Sequence, residues 1–93
     1  MIDIDLQKYC KNKNVKWRRE KEGAILLDVA NEKIYRLNVT AARVWVLCGT
    51  AQSISGICKI LSHEFETDLD TLYTDIQECI QLFIRKELII EKR

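Results

Sequence analysis

The sequence predicts an α+β fold: a three-stranded antiparallel sheet followed by three helices, in a winged helix-turn-helix-like arrangement. Between residues 15 and 37, short runs alternate apolar and polar residues, which is the periodicity of a strand. From residue 38 onward, apolar residues recur three or four positions apart, which is the periodicity of a helix. Because the strand patterns all precede the helix patterns, the order favours an α+β fold over a doubly wound sheet.

Three short segments carry the strand pattern: residues 15–18, residues 24–27 and Lys33–Leu37. A turn that contains Gly23 joins the first two segments, and a connection that contains Asn31 joins the last two. Connections this short join neighbouring antiparallel strands. The three segments therefore predict an antiparallel meander.

Capping residues mark the ends of the predicted helices. Asn38 is an N-cap ahead of the first helix, and Gly49 ends that helix. The second helix begins near Ser53. The third helix opens at residues 67–70, where Thr-Asp-Leu-Asp is a variant of the capping box, and it continues to about Lys86.

The chain of 93 residues, 47% of them apolar, is long enough for one domain with a core of its own. Residues 1–14 are polar, and we expect a loosely held arm there, ahead of a single domain over residues 15–93. Residues 88–90 are apolar and predict a short terminal strand or an extended tail.

Composition excludes several broad classes of function. With 15 Lys and Arg against 14 Asp and Glu, the net charge of +1 indicates no general attraction to nucleic acid or to a membrane. No run reaches the roughly 18 apolar residues that a membrane helix needs. Residues 1–5 carry acids where a secretion signal has basic residues. We therefore expect a cytoplasmic protein with no membrane partner.

Nothing in the sequence points to an enzyme, a metal site or a cofactor. The four cysteines include no C-x-x-C pair. We expect Cys48, Cys58 and Cys79 to be small buried residues on helices, and Cys10 to be exposed. His63, the only histidine, is expected at a solvated helix end. We predict no catalytic residue, no metal ligand and no cofactor.

Charge is unevenly distributed along the chain. Residues 11–21 include six basic residues and one acid, whereas residues 60–84 include six acids and no Lys or Arg. A helix-turn-helix protein needs a basic recognition helix to meet phosphates, and here the third helix is acidic. Nucleic-acid binding is therefore disfavoured, although a small winged-helix regulator of nucleic acid remains an alternative hypothesis.

An exposed sheet edge suggests a different kind of partner. If Lys33–Leu37 lies at the edge of the sheet next to the third helix, a groove separates the two, and an extended peptide can add there as a fourth strand. Two other interpretations remain open on periodicity alone. All these residues can be ordinary core, or the edge can serve as a dimerisation module in a homodimer.

Several short motifs together resemble the PqqD family over roughly residues 15–90. The most specific is the strand exit Tyr-x-Leu-Asn, followed by an alanine and a tryptophan one and two helical turns later. The residues that carry the resemblance are residues 23–28, residues 34–38, Ala41, Trp45, Asp75, Ile76, Cys79, Ile80, Phe83, Leu88 and Ile89.

This resemblance implies a non-catalytic recognition element for ribosomally synthesised, post-translationally modified peptides. Members of the family bind the leader of a precursor peptide and present its core to a modifying enzyme. The enzyme partner is commonly a radical-SAM protein, or a leader protease in lasso-peptide pathways. The sequence does not separate quinone-cofactor biosynthesis from lasso-peptide processing. The family binds its leader antiparallel to the third strand and against the third helix.

The resemblance also implies which residues bind the peptide. Tyr35 and Leu37 share the inward face of the pairing strand, and Asp75 is a candidate to pair with a basic leader side chain. The residues of the pairing strand are Lys33, Ile34, Tyr35, Arg36 and Leu37. The candidates for the helical wall, some of which are expected in the core, are Leu72, Asp75, Ile76, Cys79 and Phe83.

Two positions depart from the family pattern. Cys79 stands where a larger apolar or aromatic residue is common, which predicts a wider pocket. Glu87 stands where a helix-ending glycine is common, which predicts a different end for the third helix or a longer helix.

Overall fold

The computed structural model describes residues 4–50 and 53–92, so residues 1–3 of the predicted arm and residues 51, 52 and 93 of the predicted domain lie outside the described residues. The fold is α+β, with a three-stranded antiparallel sheet followed by three helices, and it is compatible with a winged helix-turn-helix. In chain order the elements are a 3-10 helix (Leu6–Lys8), β1 (Tyr9–Lys11), β2 (Val15–Glu20), β3 (Gly23–Asp28), β4 (Lys33–Leu37), α1 (Val39–Leu47), α2 (Ile54–Phe65), α3 (Leu69–Arg85) and β5 (Ile89–Glu91).

The three-stranded sheet is a meander in the order β2-β3-β4. Alternation puts one set of side chains on the helix side, where Leu26 lies opposite Tyr35 and Ala24 lies opposite Leu37. Gly23 begins β3 with φ +149°, and a Cβ there would lie 1.8 Å from the carbonyl oxygen of Leu37. Only glycine allows the backbones to approach this closely.

Two of the predicted helix starts are confirmed by side-chain caps. The Asn38 Oδ1 accepts a hydrogen bond from the Ala41 N–H at 2.8 Å, and the Ser53 Oγ accepts one from the Gly56 N–H at 3.1 Å. The third start differs from the prediction, because α3 begins at Leu69 after Asp68, whose side chain makes no capping hydrogen bond. The Thr67 hydroxyl instead donates to the Phe65 carbonyl at 3.0 Å, so no capping box forms.

The predicted end of the first helix is also corrected. The helix α1 ends at Leu47 with Cys48 as its C-cap in a right-handed conformation. Gly23 is the one described glycine with positive φ, so Gly49 is not the left-handed residue of a glycine cap.

The helix α3 ends in the geometry that usually requires glycine, although the residue is glutamate. Glu87 has φ +56°. The Leu88 N–H donates to the Phe83 carbonyl at 2.8 Å, and the Glu87 N–H donates to the Ile84 carbonyl at 3.0 Å. These two bonds form a Schellman motif. The expectation of a different end or a longer helix was therefore wrong.

The N-terminal segment is packed against the rest of the chain. Leu6 is 2% exposed, and β1 pairs antiparallel with β5 in a second, two-stranded sheet. The Asn12 side-chain amide also donates to the Glu87 carbonyl at 2.9 Å. The polar composition of this segment predicted a loosely held arm. Composition cannot reveal that β5 supplies a partner strand for β1. The boundary between arm and domain stays a prediction.

The core lies between the sheet and the helices, with Trp45 fully buried at its centre. Its ring makes edge contacts with Phe83 at a centroid distance of 5.4 Å and with Trp17 at 6.4 Å. These contacts join α1, α3 and β2. Within residues 4–50 and 53–92, no helix has the length and apolar composition to cross a membrane.

Candidate functional site

The strand β4 lies at an edge of its sheet. Its only strand partner in the described residues is β3, and α3 packs chiefly on α2 and α1. Backbone N–H and C=O groups of a strand point alternately to its two sides, so half of those in β4 face away from β3. This edge therefore offers a row of backbone groups to which a further strand can bind.

The side chains of β4 alternate between two faces, as predicted. Leu37 is buried and Tyr35 is half-buried on the helix side, and Lys33 lies at the exposed start of the strand. Ile34 and Arg36 point to the opposite face, where Ile34 is 66% exposed. An added strand would place alternate side chains against the helices and the others over this outer face.

The helical wall beside β4 divides into core and groove residues. Leu72, Ile76 and Phe83 are at most 4% exposed and belong to the core cluster. Asp75 is exposed and Cys79 is half-buried, and both line a groove next to the end of β4. Of the five predicted wall residues, these two are therefore the ones at the surface of the groove.

Two separate hollows lie between α3 and the two ends of β4, and they carry opposite charge; we describe them as the two ends of the groove. The end next to the C-terminus of β4 has two carboxylates, and we call it the acidic end; its lining residues are Asn38, Thr40, Asp75, Glu78, Cys79 and Leu82. The end next to the start of β4 has three basic side chains, and we call it the basic end; its lining residues are Asp28, Asn31, Lys33, Tyr35, Arg85, Lys86 and Glu87.

One of the two acids at the basic end, Asp28, already accepts hydrogen bonds from a neighbouring residue of the chain. Asp28 is 2% exposed, and its carboxylate accepts hydrogen bonds from the Asn31 backbone N–H at 3.2 Å and from the Asn31 side-chain amide at 2.8 Å. Glu87 is exposed and remains as an acid beside Lys33, Arg85 and Lys86. Basic charge therefore predominates at this end.

Sequence reasoning did not single out four groove residues, three of them on α3 and one at its C-cap. Relative to Asp75 they stand three, seven, ten and eleven positions further on, spacings that fall on one side of a helix. This helical spacing is the feature of the sequence from which the four residues could have been predicted. The four residues are Glu78, Leu82, Arg85 and Lys86.

Two of the thiols, those of Cys48 and Cys79, are poor nucleophiles at neutral pH. Burial raises the pKa of Cys48 to about 12. The pKa of Cys79 is raised chiefly by burial and also by the nearby Asp75 and Glu78 carboxylates. His63 is exposed in the last turn of α2. Among the described residues, no group of three or more potential metal ligands comes together.

The basic stretch at residues 11–21 does not form one surface. The Lys11 ammonium points inward, 5.2 Å from the Trp17 ring centre and 5.0 Å from that of Trp45. Lys16 and Arg18 lie on the sheet face opposite the helices, and Arg18 pairs with Glu20 at 3.1 Å. These charges are thus divided between the interior, which Lys11 of β1 approaches, and the outer face of the sheet, where Lys16 and Arg18 of β2 lie.

An open strand edge beside a helix is the geometry of domains that bind a peptide by strand addition. The chain belongs to the PqqD family: the family described as Coenzyme PQQ synthesis protein D (PqqD) matches residues 23–89. This range contains the sheet edge, all three helices and both ends of the groove. A comparison with curated proteins found no match.

Two solved structures share the fold. One is described as TbiB1 in complex with the TbiA(beta) leader peptide; it is 18% identical, with a TM-score of 0.76 over 89% of this chain and 96% of that chain. The other is a lasso peptide synthetase B1 complexed with the leader peptide; it is 18% identical, with a TM-score of 0.78 over 89% of this chain and 98% of that chain.

Proposed function

We propose that this chain is a non-catalytic recognition element that binds the leader of a ribosomally synthesised precursor peptide and presents it to a modifying enzyme. The observation that carries the proposal is the open edge of β4 beside α3, in a member of the PqqD family. The two structural neighbours support it, since both are described as complexes with a leader peptide.

In this proposal the leader adds to β4 as a fourth, antiparallel strand. Backbone hydrogen bonds supply affinity whatever the leader sequence, and side chains at alternate positions supply specificity. Those on the helix side meet Tyr35, Cys79 and Leu82 in the groove, where Cys79 leaves more room than a larger side chain would. Ile34 and Arg36 meet the leader side chains that point to the outer face.

The first test is an NMR titration of the labelled chain with the leader of a small peptide encoded beside its gene. We expect saturable shifts confined to Lys33–Leu37 and Leu69–Arg85. A leader of scrambled sequence is the control and should leave these signals unchanged. Equal shifts with the scrambled peptide would reduce the groove to a non-specific apolar surface, and no shifts at high excess would contradict leader binding.

A substitution pair tests strand addition itself. Ile34→Pro removes a backbone N–H and disturbs pairing along the strand, whereas Ile34→Ala keeps the N–H and removes only the exposed side chain. We expect Ile34→Pro to weaken leader binding by about tenfold or more, as lost hydrogen bonds imply, and Ile34→Ala to weaken it less. Circular dichroism checks that both variants fold. A folded Ile34→Pro variant that binds the leader unchanged would show that this edge is not used.

Presentation to an enzyme is tested separately, with the modifying enzyme as the second partner. The candidates are a radical-SAM protein and a leader protease. We expect modification of the full precursor to require this chain in trans, and to be lost when the chain carries Ile34→Pro. Unchanged modification without the chain would leave leader binding intact and remove the presenting role.

A further inference from the structure

Charge along the groove wall changes sign over three turns of one helix. Counting from Asp75, the groove residues of α3 stand at steps of three, four, seven and ten, and the C-cap Lys86 stands at step eleven, so they form a single stripe. The stripe begins with Asp75 and Glu78, continues with the apolar Cys79 and Leu82, and ends with Arg85 and Lys86.

The stripe runs antiparallel to the open strand edge. The acidic end lies next to Asn38, immediately after β4, and the basic end lies next to Lys33, at the start of β4. A peptide strand antiparallel to β4 therefore passes the acidic end with its N-terminal part and the basic end with its C-terminal part. The direction of the peptide therefore determines which of its side chains meet the acidic end and which meet the basic end.

The length of the charged stripe on α3 matches the length of a short peptide strand. From Asp75 to Arg85 the helix rises about 15 Å at 1.5 Å per residue. A strand covers about 14 Å in four residues. Peptide side chains at positions i, i+2 and i+4 point to the same side, so they reach the two carboxylates of the acidic end, then its apolar residues Cys79 and Leu82, and then the basic end.

The charges of the stripe are available to a ligand. Asp75, Glu78, Arg85 and Lys86 are all exposed. The ion pairs found in the described residues join other side chains, Arg18 with Glu20 and Arg43 with Glu64. The stripe therefore keeps its charge free for a ligand that lies across it.

We propose that the groove selects a peptide strand with the side-chain order basic-x-apolar-x-acidic, read from the peptide N-terminus to its C-terminus. This rests on the proposed function and specifies which leaders the site accepts. The basic side chain faces Asp75 and Glu78, the apolar side chain contacts Cys79 and Leu82, and the acidic side chain faces Arg85 and Lys86. The reversed order places like charges together at both ends.

A second copy of the chain is the other candidate for the same edge. In an antiparallel β4–β4 contact, a partner's β4 would bring a lysine to the acidic end and its tyrosine to the middle. It would bring a leucine to the basic end and leave the cations there without a counter-charge. The peptide of the stated order satisfies both ends and is the occupant that we infer.

The test uses two synthetic peptides of the same composition, with cores Lys-Thr-Leu-Thr-Glu and Glu-Thr-Leu-Thr-Lys between identical neutral flanks. Fluorescence anisotropy of labelled peptides measures their affinities for the full chain at low salt. We expect the first peptide to bind about tenfold more tightly than the second, since exposed ion pairs are individually weak and two are exchanged for repulsions. This ratio should shrink as salt screens the charges.

A charge-exchanged variant tests whether the four charged groove residues determine the order of side chains that the peptide must have. Asp75→Lys, Glu78→Lys, Arg85→Glu and Lys86→Glu are combined, and we expect the variant to prefer the second peptide. The matched control combines Lys59→Glu and Asp70→Lys, which exchange exposed charges outside the groove lining, and it should keep the wild-type preference. If the combined variant unfolds, Asp75→Asn alone should reduce the ratio between the two peptides.

The outcomes separate this inference from the proposed function. Equal affinity for both peptides, binding of neither, or a preference that the groove variant leaves unchanged would overturn the charge order. The natural leader, titrated in parallel, reports on leader binding whatever the designed peptides do. Concentration-dependent sedimentation that both peptides leave unchanged would assign the edge to a second copy and overturn the inference.

Discussion

Trp45 shows how a single residue connects distant parts of this chain. Its side chain is fully buried between Trp17 of β2 and Phe83 of α3, and the Lys11 ammonium approaches its ring. Burial lowers the pKa of Lys11, because its charged form loses water, while the aromatic rings attract the same charge. Trp45 and Phe83 hold α3 in place but do not line either end of the groove, so the packing of the groove wall and the lining of the groove depend on different residues.

At the residue scale, the four cysteines should differ in their reaction with iodoacetamide at pH 7.5. Cys10 is exposed and should react first, and Cys79 should follow slowly because its pKa is raised and it is half-buried. Cys48 and Cys58 are buried and should react only on unfolding. Peptide mass spectrometry over time measures the order.

The same labelling also reports on the groove. A bound leader should protect Cys79, which lines the acidic end, while Cys10 continues to react at its free rate. Labelling of Cys48 as fast as that of Cys10 would contradict the packing around Trp45. Protection of Cys79 by a scrambled leader would argue against selective occupation of the groove.

At the scale of elements, the end of α3 carries a cost that a substitution can remove. Glu87 adopts the left-handed conformation that glycine adopts without strain. Glu87→Gly should therefore raise the free energy of unfolding by about 0.5–1 kcal/mol, which is the cost of the left-handed conformation less the flexibility that glycine adds to the unfolded chain. Lys86→Gly is the control, since Lys86 has φ −90° and glycine only adds flexibility to the unfolded chain there. Urea unfolding distinguishes the two; a loss of stability in Glu87→Gly would mean that the glutamate side chain contributes more than its conformation costs.

The ion pair between α1 and α2 predicts a pH dependence of stability. Hydrogen bonds from Arg43, one of them from its Nε at 3.0 Å, hold the pKa of Glu64 below its usual 4.5. A carboxyl with a lowered folded-state pKa contributes stability that is fully present above 4.5 and is lost as pH falls through the lowered value. The side chains of Arg43 and Glu64 are 31% and 36% exposed to solvent, which screens the charges, so this contribution is small.

Glu64→Gln should therefore be less stable than the wild-type chain at pH 7, and the difference should disappear in acid. Urea unfolding at a series of pH values between 7 and 3 measures it. Glu22→Gln, which alters an exposed glutamate between β2 and β3, should show no comparable difference. A Glu64→Gln difference that persists unchanged at pH 3 would assign the effect to packing and not to charge.

For the whole molecule, the two ends of the described chain are joined by the β1–β5 sheet. Leu6 is buried ahead of β1, and the Lys92 N–H donates to the Lys8 carbonyl at 2.7 Å. We expect Leu6→Ala to lower the free energy of unfolding by about 2–5 kcal/mol, the usual cost of truncating a buried leucine. Gln7→Ala, at the exposed neighbouring position, should change it little. A neutral Leu6→Ala would restore the interpretation of this segment as a loose arm.

The amino-acid sequence by itself determined the order and type of most elements, because strand alternation, helical spacing and capping by Asn38 and Ser53 act over a few residues. The same short-range signals failed at Gly49 and Thr67, where neighbouring backbone geometry decided the cap. Only the tertiary structure decided that β5 pairs with β1, that Ile76 belongs to the core, and that the two ends of the groove carry opposite charge. These features depend on which surfaces meet across dozens of residues; helical spacing groups the groove residues of α3 on one side, but it does not report which element faces them.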